Sequence, residues 1–330
     1  MTDQSLHLGD FTSSAKSGAA VPKYYGEALV ALGHERPEVV ALTGDLSPAT
    51  ECDLFRDTFP DRFFTPGIAE ANMIGVAAGM ARSGDMPFVH TFCVFMSRRA
   101  FDQVAMQVAY PRTNVKLAGF LPGLTTLLGV SHQAIEDVAM MRALPNMTVI
   151  EPCGGRQIAA AVRAAADFDG PVYLRLHRPS AAVPAGVPPL PLEIGKGQLL
   201  RDGKDAVIFA AGHTVDEALA AAESLEAAHG LQVAVANMHT LKPFDRDFVS
   251  DLARRTGTVI TAENHSIVGG LGSAVAETLM EAGIAARFRR LGVRDRFAEG
   301  GSTPYLFDKY GFSAPHIATA CLDLLKRSGR

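Results

Sequence analysis

The sequence predicts an α/β protein built from two open, doubly wound α/β domains. Three observations carry this. Short β-rich runs alternate with segments of helical period, a proline-rich stretch interrupts the alternation once, and 330 residues are enough for two separate cores.

Residues 1–20 are polar and small and read as a mobile N-terminal arm. From Tyr24 onward, helix-period segments alternate with β-rich runs at 39–43, 87–91, 115–118, 148–150 and 172–176, the pattern of βαβ units on a parallel sheet. Residues 178–191 carry five prolines, which neither a helix interior nor a central strand accepts, so this stretch reads as an interdomain linker. A second α/β unit follows, with runs at 206–212, 233–237 and 259–263. The expected division is an arm at 1–20, a first domain at 21–178, a linker at 179–205 and a second domain at 206–330.

Composition excludes several function classes. Hydrophobic residues make up 48% and charged residues 20%, ordinary usage for a folded soluble chain. A net charge of -4 leaves no basic field for nucleic acid. The cysteines, Cys52, Cys93, Cys153 and Cys321, form no CxxC pair and stand near no histidine at metal-ligand spacing, which fits a reducing compartment. The N-terminus has neither a basic nor an apolar region of the kind that directs export, and no apolar run approaches the roughly 20 residues of a membrane span. A soluble, cytoplasmic protein is expected.

In open α/β sheets, ligands sit beyond the carboxyl ends of the strands, so the loops there hold the candidate residues. Asp45-Leu46-Ser47 follows the first run, Glu70 stands before a helix of small residues, Phe92 to Arg99 follow the next run, and His132 lies in Ser131-His132-Gln133. Glu70 has little water around it among Ala, Gly, Met and Val; it either caps its helix or does chemistry. Phe92 and Phe95 at helical spacing are by themselves ordinary core residues, and a lone His132 is ordinarily satisfied by backbone. Gly269-Gly270-Leu271-Gly272 lacks the third glycine of a dinucleotide fingerprint and reads as tight βα packing. His213, His239 and His265 read as structural or interfacial.

Taken together, Gly44-Asp45-Leu46-Ser47-Pro48, Gly67-Ile68-Ala69-Glu70, Phe92-Cys93-Val94-Phe95, Arg99-Ala100-Phe101-Asp102-Gln103-Val104, Ser131-His132-Gln133, Leu241-Lys242-Pro243-Phe244-Asp245 and Thr261-Ala262-Glu263-Asn264-His265 resemble, in order, the C-terminal half of transketolase. The architecture is shared with 1-deoxyxylulose-5-phosphate synthase and with the beta subunits of pyruvate dehydrogenase-type decarboxylases. The resemblance implies a thiamine-diphosphate pyrimidine-binding domain followed by a transketolase C-terminal domain. It also implies transfer of a two-carbon ketol unit from a ketose to an aldehyde.

On this resemblance, Glu70 hydrogen-bonds the aminopyrimidine of thiamine diphosphate and promotes the imino tautomer, a task suited to a carboxylate in a dry environment. Phe95 stacks on that ring, with Phe92 beside it and Asp45 and Arg98 among the cofactor contacts. His132 contacts the donor hydroxyls and shuttles protons. The resemblance also exposes a gap. Family members hold the diphosphate through Mg2+ with a Gly-Asp-Gly motif, whereas Gly44-Asp45-Leu46 and Gly84-Asp85-Met86 fail at the third position. A separate N-terminal subunit carrying the diphosphate and Mg2+ site is therefore expected, in a heterotetramer active only when both chains are present.

The acceptor side departs from transketolase in one direction. Pro22, Ala49 and Phe120 stand where the family has Arg, Ser and His that hold a sugar phosphate, and Leu128 replaces an acidic residue that reads a donor hydroxyl. Arg178 matches a phosphate-binding position, with Arg175 nearby. Arginine and phosphate pair through charge-assisted, often bidentate bonds, so these losses point to an unphosphorylated or shorter substrate. Two other readings remain open at this level. One is a dehydrogenase beta-type subunit serving a lipoyl or carrier-protein arm; the other is a catalytically silent scaffold subunit.

Overall fold

The structure, a computed structural model, describes residues 22–179 and 192–326. The expected arm at 1–20 and residues 180–191 of the proline-rich stretch lie outside the described residues. The first domain runs α1 (Tyr24–Glu35), β1 (Val39–Thr43), α2 (Asp53–Thr58), β2 (Phe63–Phe64), α3 (Glu70–Arg82) and β3 (Met86–Phe92). A π-helical turn at Phe95–Arg99, the short α4 (Phe101–Gln103) and a second π-helical turn at Val104–Ala109 follow. It closes with β4 (Lys116–Phe120), α5 (Asp137–Ala143), β5 (Thr148–Ile150), α6 (Gly154–Asp167) and β6 (Val172–Leu176).

The second domain contains β7 (Gln198–Arg201), β8 (Ala206–Ala210), α7 (Thr214–His229), β9 (Val233–Asn237), β10 (Thr240–Lys242) and α8 (Arg246–Thr256). It ends with β11 (Thr258–Ser266), α9 (Leu271–Glu281), β12 (Arg287–Val293), α10 (Thr303–Lys309) and α11 (Ala314–Lys326).

Among the described residues, the larger sheet orders its strands β10-β5-β6-β4-β3-β1-β2 and the smaller one β12-β11-β8-β9-β7. Pairings inside both are parallel except for β10 on β5 and β7 on β9. Parallel strands covered on both faces read as continuous apolar runs, and β1, β4, β6, β8 and β9 are buried along their whole length. The two open α/β sheets expected from the sequence are thus present.

Side-chain alternation divides the second sheet between two cores. Val207, Phe209, Ala234, Ala236 and Val259 face the larger core, which also contains the first domain's residues; Ile208, Ala210, Val233, Val235 and Ile260 face the smaller one with α7 and α11. The domains therefore share apolar burial and are not beads on a string.

Two elements blur the expected boundary. β7, inside the segment expected as linker, pairs Gln198 with Asn237 and Leu199 with Ala236. β10, from the second domain, completes the edge of the first sheet by pairing Thr240 with Ile150, and Lys242 Nζ donates to the Arg142 carbonyl at 2.8 Å. Among the described residues, no helix is long and apolar enough to cross a membrane.

Candidate active site

Glu70 is the first residue of α3, and its carboxylate is only 4% exposed. The N-cap position belongs to Ala69, whose side chain makes no capping bond, and Glu70 Oε1 instead accepts a hydrogen bond from Arg99 Nη1 at 3.1 Å. The capping alternative is therefore set aside, though the α3 N-terminus still favours a negative charge there.

β3 delivers Phe92 to the carboxyl edge of the sheet, and the π-turn at Phe95–Arg99 follows. Such wide turns recur at functional sites. Here it places the Arg99 guanidinium 3.8 Å over the centre of the Phe95 ring while the same group reaches Glu70. The Phe92 and Phe95 rings lie 5.7 Å apart. His132 meets Phe95 edge-on at 5.3 Å and lies 5.9 Å from Phe92. Glu70, Phe92, Phe95 and His132 thus lie together in this structure, linked through Arg99. Arg99, in the sequence only one member of the Arg99–Val104 motif, joins them.

His132 sits on the long loop between β4 and α5. Its backbone N–H donates to Gly129 O at 2.9 Å, and its Nδ1 lies 2.9 Å from Ser131 Oγ. Burial, and then the nearby Arg99 cation, lower its pKa below the usual imidazole value, so the ring is neutral at pH 7.

Arg98 braces the His132 loop, donating to Val130 O at 3.2 Å, Gln133 O at 3.1 Å and Glu136 Oε2 at 3.0 Å. Its place here is as a strut, one contact removed from the slot over Phe95. The loop is held from the second domain as well. Asn264 Oδ1 accepts from Leu124 N at 2.8 Å, its Nδ2 donates to Pro122 O at 3.0 Å, and Gln133 Nε2 donates to Glu299 O at 2.9 Å.

Asp45 lies just past β1, exposed, on left-handed backbone with φ 63°. Leu128 is half-buried in the His132 loop. Phe120 does not line an open pocket: it is fully buried and packs edge-on against Tyr25 at 5.2 Å. Tyr25 N in turn donates to Glu51 Oε2 at 3.0 Å, and Arg178 Nε lies 3.4 Å from Glu51 Oε1. Arg178 therefore meets a carboxylate already, and burial raises the proton affinity of that carboxylate.

Arg175 is not an accessible neighbour for a phosphate. Completely buried, it donates to Asp137 Oδ2 at 2.8 Å, Glu151 Oε1 at 2.6 Å, Ala134 O at 3.2 Å and Asn264 O at 2.9 Å. Tyr173 OH completes the cluster by donating to Asp137 Oδ2 at 2.7 Å. Removing one partner from so dry an ion pair costs about 3–5 kcal/mol. Its place is in holding β6, α5 and β11 together.

A buried carboxylate beside an aromatic ring already covered by a planar, hydrogen-bond-donating guanidinium suits a nitrogen heterocycle that both stacks and donates hydrogen bonds, so these residues fit the aminopyrimidine end of thiamine diphosphate. Among the described residues, no cluster of three or more His, Cys, Asp or Glu side chains could hold a metal ion.

The pairing of these two parallel-dominant sheets, with this site at the carboxyl edge of the first, is an α/β arrangement of the transketolase type. Residues 17–183 match the transketolase pyrimidine-binding domain and residues 195–317 the transketolase C-terminal domain, and the chain belongs to the transketolase family. It is 46% identical to the 6-deoxy-6-sulfo-D-fructose transketolase subunit SqwH of a Clostridium species, with 92% of this chain and 94% of that one covered. Identity to an apulose-4-phosphate transketolase subunit of Phocaeicola vulgatus is 34%, covering 95% and 100%. Among solved structures it superposes on a split gene transketolase described as an inactive beta4 tetramer, with TM-score 0.83, 45% identity, and 94% and 99% of the two chains covered.

Proposed function

We propose that this chain is the C-terminal subunit of a split transketolase-like enzyme that moves a two-carbon ketol unit from a ketose donor to an aldehyde acceptor. The observation that carries the reading is the convergence of Glu70, Phe95 and His132 in one slot. Thiamine diphosphate, when bound, supplies the carbon nucleophile and electron sink that such a transfer requires. Glu70 exchanges a proton with the aminopyrimidine ring, Phe95 supports its face with Phe92 behind, and the neutral His132 accepts or returns a proton at the donor hydroxyls.

The diphosphate and Mg2+ belong, on this reading, to an N-terminal partner subunit. The absence of Gly-Asp-Gly from the sequence supports this, as does the fact that the chain spans nearly the full length of two proteins named as transketolase subunits. A cytoplasmic heterotetramer is the proposed working form.

Substrate charge follows from the acceptor side. Phe120 packs in the core, Arg175 is held in the buried cluster and Arg178 sits beside Glu51, so none of these three positions offers an unshared donor to a phosphate dianion. A ketose lacking a phosphate, or carrying a singly charged group such as the sulfonate in the name of the Clostridium relative, fits this better. Reconstitution with the partner tests the whole reading. Turnover should need both chains and thiamine diphosphate, and Glu70→Gln should lower kcat by about 10²–10⁴. Full turnover by this chain alone, or an unaffected Glu70→Gln complex, overturns it.

A further inference from the structure

Arg99 makes, at one time, the two contacts that the slot would offer to a flat, N–H-bearing ring. Its guanidinium is planar with donors in its plane. Its central carbon lies 3.8 Å from the centre of the Phe95 ring, and Nη1 donates to the Glu70 carboxylate at 3.1 Å. The same cation helps keep His132 neutral. All three groups assigned to the cofactor and donor thus already answer to one side chain.

We propose that Arg99 is a place-holder in the pyrimidine slot, satisfying buried Glu70 and covering Phe95 until an aromatic nitrogen heterocycle displaces it. The inference rests on the thiamine-diphosphate reading above. Two features make displacement feasible. Glu70 is buried, but the Arg99 side chain is 52% exposed, so it leaves toward water without unpacking a core. Its contacts are also of modest strength, since an exposed cation over a ring and a half-exposed ion pair are each weak. Their purpose is matched to Glu70: a buried carboxylate without a donor is costly, so the vacant slot needs a temporary partner. The consequence is competition, in which ring affinity is reduced by the fraction of time Arg99 holds the slot.

The test uses the complex reconstituted with its partner, titrated calorimetrically with thiamine diphosphate and Mg2+. Arg99→Ala should bind the cofactor roughly three- to tenfold more tightly than wild type, because the competitor is gone. Arg99→Lys, which keeps the charge but cannot lie flat on Phe95, should fall between them. A structure of the loaded complex should show Arg99 withdrawn from Glu70. Equal or weaker binding by Arg99→Ala, or Arg99 still bridging Glu70 and Phe95 beside the bound ring, overturns the place-holder while leaving the cofactor reading intact. No binding by either wild type or variant overturns both.

Discussion

At the residue scale the decisive property is the protonation of His132. Burial and the Arg99 cation both disfavour the imidazolium, so its pKa lies below 6.5 and the neutral ring persists into mildly acidic solution. If neutral His132 accepts the proton, the acid limb of kcat/KM for the reconstituted enzyme should be centred below pH 6.5. In the cofactor-free complex, where Arg99 lies beside Phe95, Arg99→Ala should raise the His132 pKa, read by NMR titration. A wild-type limb centred at or above pH 6.5 would count against the role. Glu70, Phe92, Phe95 and His132 were legible because their neighbours form an ordered set of motifs. The distinction between Arg98 and Arg99 was not. Residues three and four after Phe95 share its face on any helix, and only the π-turn fixes which arginine covers the ring and which braces the loop.

At the scale of elements, the β4–α5 loop is the part on which the site depends. Gly123 adopts φ 54°, and a Cβ there would collide with the backbone and side chain of Asn264, the residue that grips the loop through Leu124 and Pro122. Gly123→Ala should therefore cost about 2–4 kcal/mol, the sum of left-handed strain and overpacking. Urea unfolding of the chain measures it, and an unchanged midpoint would show that the loop gives way freely. The parallel strands were legible as apolar runs. The edge strands were not: β7 is only partly buried, and β12 reads Arg-Phe-Arg-Arg-Leu-Gly-Val, with its first four residues half-exposed. An edge strand covered on one side carries no continuous apolar signal.

Over the whole molecule, the domains are joined by dry polar chemistry, and that sets the response to acid. His177 and His213 stack across the domain boundary at 5.4 Å, with burial lowering their pKa values to about 3 and about 4. His90 and His239 are likewise lowered by burial to about 4. For each, the unfolded chain binds a proton near pH 6.5 and the folded chain does not, so stability is lost as pH falls from 6.5 toward 4. Glu263, pushed up by burial to about 8, acts in the opposite sense, as do Glu51, Glu151 and Asp216, whose carboxyls burial also raises, and the four imidazoles outweigh them. The thermal midpoint should drop between pH 7 and pH 5, with each imidazole contributing up to about 2 kcal/mol by pH 5. A midpoint that rises on acidification would refute the balance.

By itself the sequence determined the two α/β domains, the order of their central strands along the chain, the family resemblance and four of the side chains gathered near Phe95. Those follow from local patterns, apolar runs and short motifs, which are properties of neighbours along the chain. Tertiary structure alone decided that Arg175 is a buried clasp, that Phe120 is core, that Asn264 and Glu299 of the second domain hold the His132 loop, and that Arg99 bridges Glu70 and Phe95. Each of these depends on which donors and acceptors meet across tens of residues or a turn of unusual width, and side-chain spacing does not encode that.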